Sequence, residues 1–271
     1  MRTFSPAILL QRSLIFFYLG ILIVLPVIAI TAKSMEGGFQ ELWSHLVTPH
    51  ALAALKLTFE TAIIMTIINV IMGIITAFVL VRYEFPFKKI INGLIDLPFA
   101  IPTVVTGIML VALYGPQSVL GAILQNQGLE IIYNKPGIVF ALMFVTFPFV
   151  VRSIQPVLME MDQDVEDAAK ILGASSITTF FKITLPTLLP SILTGAALSF
   201  SRAIGEFGSI VVVAGNIPMK TQVAAVYIYG ELESNNPQGA LGLSVLLLIF
   251  SFLILIFLNY LKRLSGKEHI V

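Results

Sequence analysis

The chain has 271 residues, 57% of them hydrophobic and only 11% charged, with a formal net charge of +1 and a mean hydropathy of +0.96. That balance excludes an ordinary water-soluble domain and belongs to a polytopic membrane protein. The lack of cysteine excludes a disulfide framework and thiol chemistry.

A spanning helix needs about 20 apolar residues. Six runs qualify, at 14–32, 57–81, 90–113, 136–155, 190–213 and 241–261. The expected fold class is all-α: a single membrane domain over 1–271 with six transmembrane helices and no visible internal repeat. The first run is long for the apolar core of a secretory signal, and five more follow, so it reads as a span. With the N-terminus in the cytoplasm, the segments on that side carry Arg2, Arg12, Arg82, Lys88, Lys89, Arg152, Lys170, Lys182, Lys262, Arg263 and Lys267. The opposite side carries Lys33, Lys56, Lys135 and Lys220. This positive-inside bias puts both termini, and the segment 156–189 between the fourth and fifth spans, in the cytoplasm. External loops follow at 33–56, 114–135 and 214–240, the middle one with a short helix at Val119–Asn126. His45 and His50 lie in the first loop with no cysteine or carboxylate cluster beside them, and read as loop residues rather than metal ligands.

The third span opens with Asp96-Leu97-Pro98-Phe99-Ala100-Ile101-Pro102-Thr103. Each proline removes a backbone donor and kinks or breaks a helix. Freed carbonyls are tolerated at membrane depth where protein buries them or they line a cavity. Two readings stand side by side: a lined pathway, with the Thr103 and Thr106 hydroxyls facing a translocating anion, or a plain proline kink. Asp96 and Glu60 lie near span ends, where water is expected to hydrate them.

The segment 156–189 is the long polar stretch of the chain. Met161, Val165, Ala168, Ala169 and Leu172 recur at helical spacing and form one apolar stripe. Asp162, Asp164, Glu166 and Asp167 crowd the start of that helix, where the macrodipole favours acids, and Gly173 suits a left-handed stop. Ser175 or Ser176 then caps a second short helix with Ile177, Phe180 and Phe181 on its apolar side. Pro186 and Pro190 close the unit. Helices that lie on a bilayer surface usually carry Lys and Arg on the polar face. This one carries acids, which favours a short helix docked in a partner's groove.

The fifth span holds Ser199, Ser201, Arg202 and Glu206 among Gly195, Gly205 and Gly208. Charge inside a bilayer costs about 3 kcal/mol or more. Arg202 and Glu206 are four apart on one expected helix face and are expected to pair. The pair either fixes the helix against its neighbours or supplies positive potential to an anion path, and glycines here allow close helix packing. There is no G-x-x-x-x-G-K-[ST], no H-E-x-x-H and no G-x-S-x-G. Nor does any basic, aromatic-interleaved patch suggest nucleic acid.

Asp167-Ala168-Ala169, three residues, Gly173, nine residues, Ile183, one residue and Leu185-Pro186 resembles the signature loop of ATP-binding-cassette importer permeases. That pattern reads E-A-A, three residues, G, nine residues, I-x-L-P. The chain departs from it at Asp167, with Glu166 alongside. Ser201-Arg202-Ala203-Ile204-Gly205-Glu206-Phe207-Gly208-Ser209, with Val213-Ala214-Gly215-Asn216-Ile217-Pro218 and Thr221, resembles the oxyanion branch of that family. Tyr229-Gly230-Glu231-Leu232-Glu233-Ser234 with Gly239-Ala240 is closer to the sulfate/thiosulfate permeases called the T component.

The resemblance implies a non-catalytic permease in a bacterial cell membrane, with no cofactor of its own. Its partners would be two ATPase subunits that bind ATP, a second permease subunit (homologous or identical), a soluble sulfate/thiosulfate-binding protein and the lipid bilayer. Glu166, Asp167, Ala168, Ala169, Gly173, Ile183, Leu185 and Pro186 would form the ATPase-docking loop. Pro98, Pro102, Thr103, Thr106, Ser199, Arg202 and Glu206 are the candidate translocation path. A molybdate/tungstate permease is the alternative. A secondary, ion-coupled transporter, a class that often shows repeated halves, fits less well.

Overall fold

Hydrocarbon cannot hydrogen-bond a peptide group, so a chain this apolar must satisfy its backbone within helices. The computed structural model describes residues 6–265 and holds no strand among them. Arg2 and Lys267, assigned above to the inner side, lie outside the described residues.

The first span is α1 (Pro6–Leu19), a π-wound turn (Gly20–Val24) and α2 (Leu25–Ser34) in sequence. A short amphipathic helix, α3 (Gly38–Leu46), precedes the second span, α4 (Pro49–Arg82). Thr48 caps α4 by accepting the Ala51 N–H at 3.2 Å, and Pro49 sits in its first turn, where a missing donor costs nothing. Next come α5 (Lys88–Leu94), α6 (Leu97–Ala100), α7 (Thr103–Tyr114) and α8 (Val119–Asn126). The fourth long helix is α9 (Lys135–Glu160), followed by α10 (Gln163–Ile171). Then α11 (Ser176–Thr179), a second π-wound turn (Phe180–Thr184) and α12 (Leu185–Ile204) run on as one rod. After it come α13 (Gly208–Val213), α14 (Ala224–Glu233) and α15 (Pro237–Ser265).

Five of these helices are long and apolar enough to cross a membrane, and a sixth crossing is formed if the bent third span counts as one. The core is the packing of α9 between α4 and α12. Ala62, Met65, Ile138, Leu142 and Phe200 fill one half of it; Ala77, Val150, Ile154, Leu158, Leu188 and Ile192 fill the other. Gly195 permits the approach of α12 to α9, since a Cβ there would lie 2.9 Å from the Val150 Cα. Polar groups also join these helices. The Asn69 amide donates to Thr146 Oγ1 at 2.9 Å and to the Met143 carbonyl at 3.2 Å, the kind of interhelical bond that membranes use.

The expected spans need four corrections. The third is not a straight rod: its arms, Lys88–Ala100 and Thr103–Tyr114, meet at 115°. Ile101 precedes Pro102 and is extended (φ −87°, ψ 129°), so the helix stops there. The fifth ends at Ile204, and 208–213 is the separate helix α13, packed against α7. The segment 156–189 is mostly helical. Its second short helix does not end but winds through the π turn into α12, with the Leu185 N–H reaching back to the Phe180 carbonyl. Pro186 follows, and its missing N–H cannot serve the carbonyl four residues back, so the winding widens one turn earlier. Finally, the loops 33–56 and 214–240 contain α3 and α14.

One support of the bend is a close approach of glycine to backbone. A Cβ on Gly107 of α7 would lie 2.7 Å from the Ser209 carbonyl oxygen and 3.2 Å from its Cα. Gly107→Ala therefore forces α7 and α13 apart and is expected to cost about 1–3 kcal/mol. The check is the thermal-unfolding midpoint in detergent, and an unchanged midpoint would refute the close approach.

Candidate functional site

Two regions collect the residues singled out from the sequence. The first is the turn at α10. Asp162 caps the helix, its Oδ1 accepting the Asp164 N–H at 3.0 Å. Gly173 ends it at φ +86°, a left-handed conformation that glycine adopts freely. The Gly173 and Ala174 N–H groups close the turn onto the Lys170 and Ala169 carbonyls at 2.9 and 3.0 Å. Three residues of the expected apolar stripe, Val165, Ala168 and Leu172, face outward, while Met161 and Ala169 are half-buried. Val165 and Ala168 are exposed, Ile171 and Leu172 are 87% and 88% exposed, and Ile177 and Phe181 lie open beyond the turn. Such a patch, with Asp164 and Asp167 at its edge, is a surface awaiting cover. Asp167 also holds Lys170 at 2.8 Å, and this hydrogen bond with its charge raises the lysine above its ordinary pKa.

The signature motif therefore splits. Asp167, Ala168, Ala169 and Gly173 build the outward turn. Ile183 and Leu185 are half-buried at the entry to α12, and Pro186 is exposed there. Glu166 turns the other way. It is 8% exposed, takes Arg82 Nη2 at 3.1 Å and accepts the Thr184 hydroxyl at 2.9 Å.

The second region is the bend and the end of α12. Arg152 binds Asp96 with two nitrogens, Nε to Oδ1 at 2.7 Å and Nη2 to Oδ2 at 2.6 Å. It also donates to the Asn92 side-chain oxygen at 2.8 Å, to the Asn92 carbonyl at 2.7 Å and to Gln155. Asp96, expected to be hydrated near a span end, keeps 48% side-chain exposure and is also clamped by Arg152. Glu60, expected to be hydrated as well, is 45% exposed and pairs with Lys135. Pro98 and Thr106 line a cavity of about 580 Å³ with Asn69, Met72, Met109 and Phe144, and its walls are almost wholly apolar. Pro102 is exposed at the bend, and Thr103 opens α7 against Gly208, where a Cβ would lie 2.2 Å from the Thr103 hydroxyl. Ser199 is fully buried in the core, 3.5 Å from the Met65 sulfur.

Arg202 and Glu206 do pair, Nη2 to Oε2 at 2.7 Å. The cause differs from a shared helix face, because α12 has ended and Glu206 lies in the turn beyond it. Glu206 is 1% exposed, and its Oε1 accepts both the N–H and the hydroxyl of Ser209 at 2.9 Å, which starts α13. The Arg202 side chain keeps 35% exposure. At 1.5 Å per residue, Arg202 is about 39 Å along the rod from Ser176, so the charge sits at the far end from α10. The candidate path residues are thus dispersed: Thr106 at an apolar cavity, Ser199 in the core, and Arg202 with Glu206 at a helix end. Reading the sequence missed Arg82, Arg152 and Asn69. A polar residue well inside an apolar run was the available signal for Asn69.

The sequence pattern of the binding-protein-dependent transport system inner membrane component family matches residues 69–267. A probable sulfate transport system permease protein of Chlorokybus atmophyticus is 43% identical over 92% of this chain and 87% of its own length. The sulfate transport system permease protein CysT of Synechocystis is 39% identical over 91% and 86%. Among solved structures, a bacterial ABC transporter involved in the import of the acidic polysaccharide alginate superposes with a TM-score of 0.78, at 18% identity, over 94% of this chain and 95% of that one. An inward-facing MetNI methionine ABC transporter gives 0.61, at 15% identity, over 79% and 95%. At such identities the likeness is one of fold. The matched pattern and the extent of the similarity make this chain a multi-pass membrane protein and a transport subunit that belongs to the binding-protein-dependent transport system inner membrane component family.

Proposed function

We propose that this chain is the permease subunit of an ATP-driven importer of sulfate or thiosulfate. The observation that carries the importer reading is the outward turn of α10: an apolar surface edged with acids, stopped by a left-handed glycine, at the end of the rod that becomes α12. Relatives named as sulfate permeases, similar over nine-tenths of this chain, support the substrate.

In this reading a soluble binding protein brings the anion to the outer face. This permease and a second one, identical or homologous, enclose the path, and two ATPase subunits take the α10 turns beneath. ATP acts on those partners. The orientation follows the basic residues, with the α10 turn and both termini in the cytoplasm. Transport requires that the ATP-bound and ATP-free assemblies differ in their affinity for inward and outward states of the permease. Among the candidate path residues Arg202 has the chemistry to attract a dianion, since it carries charge and retains exposure. An apolar cavity offers an anion nothing, so Pro98 and Thr106 serve the shape of the bend.

Three outcomes test this reading. Gly173→Pro cannot adopt φ +86° because the ring locks φ near −65°; the purified variant should insert but lose its ATPase, and wild-type retention would refute docking at α10. The neutral pair Arg202→Gln/Glu206→Gln keeps hydrogen bonding without burying a lone charge. It should assemble while anion uptake falls about tenfold, equivalent to about 1.4 kcal/mol; unchanged uptake would leave the pair a purely structural role. The reconstituted complex with its ATPase and binding protein, titrated with sulfate, thiosulfate, molybdate and tungstate, should hydrolyse ATP faster with the first two. Stimulation by the last two alone would move the substrate to the sister branch.

A further inference from the structure

Two neighbouring acids of the α10 segment point in opposite directions. Asp167 is exposed and pairs with Lys170 on its own helix. Glu166 enters the protein, and its Oε1 takes two donors from two other elements. Arg82, at 3.1 Å, is the last residue of α4, and Thr184, at 2.9 Å, is the last residue of the π turn that leads into α12. One carboxylate oxygen thus ties α10 to the ends of two membrane-spanning helices.

The clasp is shielded. The Arg82 and Glu166 side chains are 9% and 11% exposed, and Phe78 and Phe180, packed edge-on at 5.5 Å, wall the same small cavity. A pair so placed is screened little by salt, and loss of one partner strands the other charge in a poor solvent. Displacement of α10 therefore pulls on α4 and α12 before the pair separates. The second anchor point is itself deformable. π turns are rare, short and frequent at functional sites, and this one is followed by prolines at 186 and 190 that weaken the hydrogen-bond ladder of the rod.

We infer that Glu166 is a positioning residue for coupling. It lies off the surface a partner would touch, and it carries the displacement of α10 into the end of α4 and the π-wound entry of α12. This rests on α10 being the docking helix. It also divides the motif: Asp167, Ala168, Ala169 and Gly173 make the contact, whereas Glu166 passes the motion on.

The test uses the full complex with its ATPase and binding protein, reconstituted in vesicles with sulfate. Two readings are taken: the amount of ATPase held by the purified permease, and sulfate transported per ATP hydrolysed. Glu166→Gln removes the charge at constant size, and Thr184→Val removes the hydroxyl at constant shape. Both should hold wild-type amounts of ATPase while transport per ATP falls about fivefold or more, the lower range of ordinary coupling between sites. Arg82→Lys, which keeps the charge, should stay nearer wild type than Arg82→Met. The transport ratio does not depend on how much protein folds, so reduced yield cannot imitate the result. An unchanged ratio in both Glu166→Gln and Thr184→Val overturns the inference. So does loss of ATPase from Glu166→Gln, which would put Glu166 in the contact itself. Failure of the wild-type permease to hold ATPase would instead bring down the docking reading, and this inference with it.

Discussion

A backbone N–H or C=O in hydrocarbon must find its partner inside the protein, and the breaks in this chain's helices are tolerable only where other segments cover them. The bent third span shows the rule at work. Pro98 and Pro102 remove two donors, the chain turns through 115°, and the second arm lies against α13 at glycine-to-backbone distance. The core of α4, α9 and α12 provides the fixed body against which such a broken segment can rest. Charged side chains then gather at the discontinuities, because an unbroken apolar helix offers little chemistry.

Three arginines mark these discontinuities. Arg152 clamps Asp96 and the end of α5 at the bend. Arg202 holds Glu206 where α12 stops and α13 begins. Arg82 holds Glu166 where α10 meets two spans. Arginine suits all three places, since its rigid fork can serve a carboxylate and further acceptors together. Each pair joins a short or irregular segment to a long helix, and Arg82–Glu166 is the one shielded on both sides, so its attraction is screened little by salt.

Apolar runs and proline punctuation made the spanning helices legible in the sequence. Helix-cap chemistry did the same for the Gly173 stop, and α8 lies at Val119–Asn126, where a short helix was expected. The bend angle was not legible: prolines announce a break, while its direction comes from where α13 offers a surface. The continuous rod from Ser176 was missed because Pro186 and Pro190 look like terminators, yet the π turn and the first turn of α12 absorb Pro186, and Pro190 lies inside the helix without ending it. The pairing of Arg202 with Glu206 was anticipated, but from a helix that does not extend that far. The inward turn of Glu166 was hidden because adjacent acids look alike until tertiary structure separates them. Arg152 was counted merely as a basic residue near a boundary, since its partners lie 56 and 60 positions away.

The first span has one further consequence. None of its most apolar stretch is buried by its own chain, and its main neighbour outside itself is α15, which begins about 200 residues later in the chain. At 5–20 residues per second, roughly 10–40 s of synthesis separate the two. During that interval α15 is not there to pack against it, so the helix must be stable in the bilayer without that neighbour. Its composition answers to that waiting period as much as to the finished assembly.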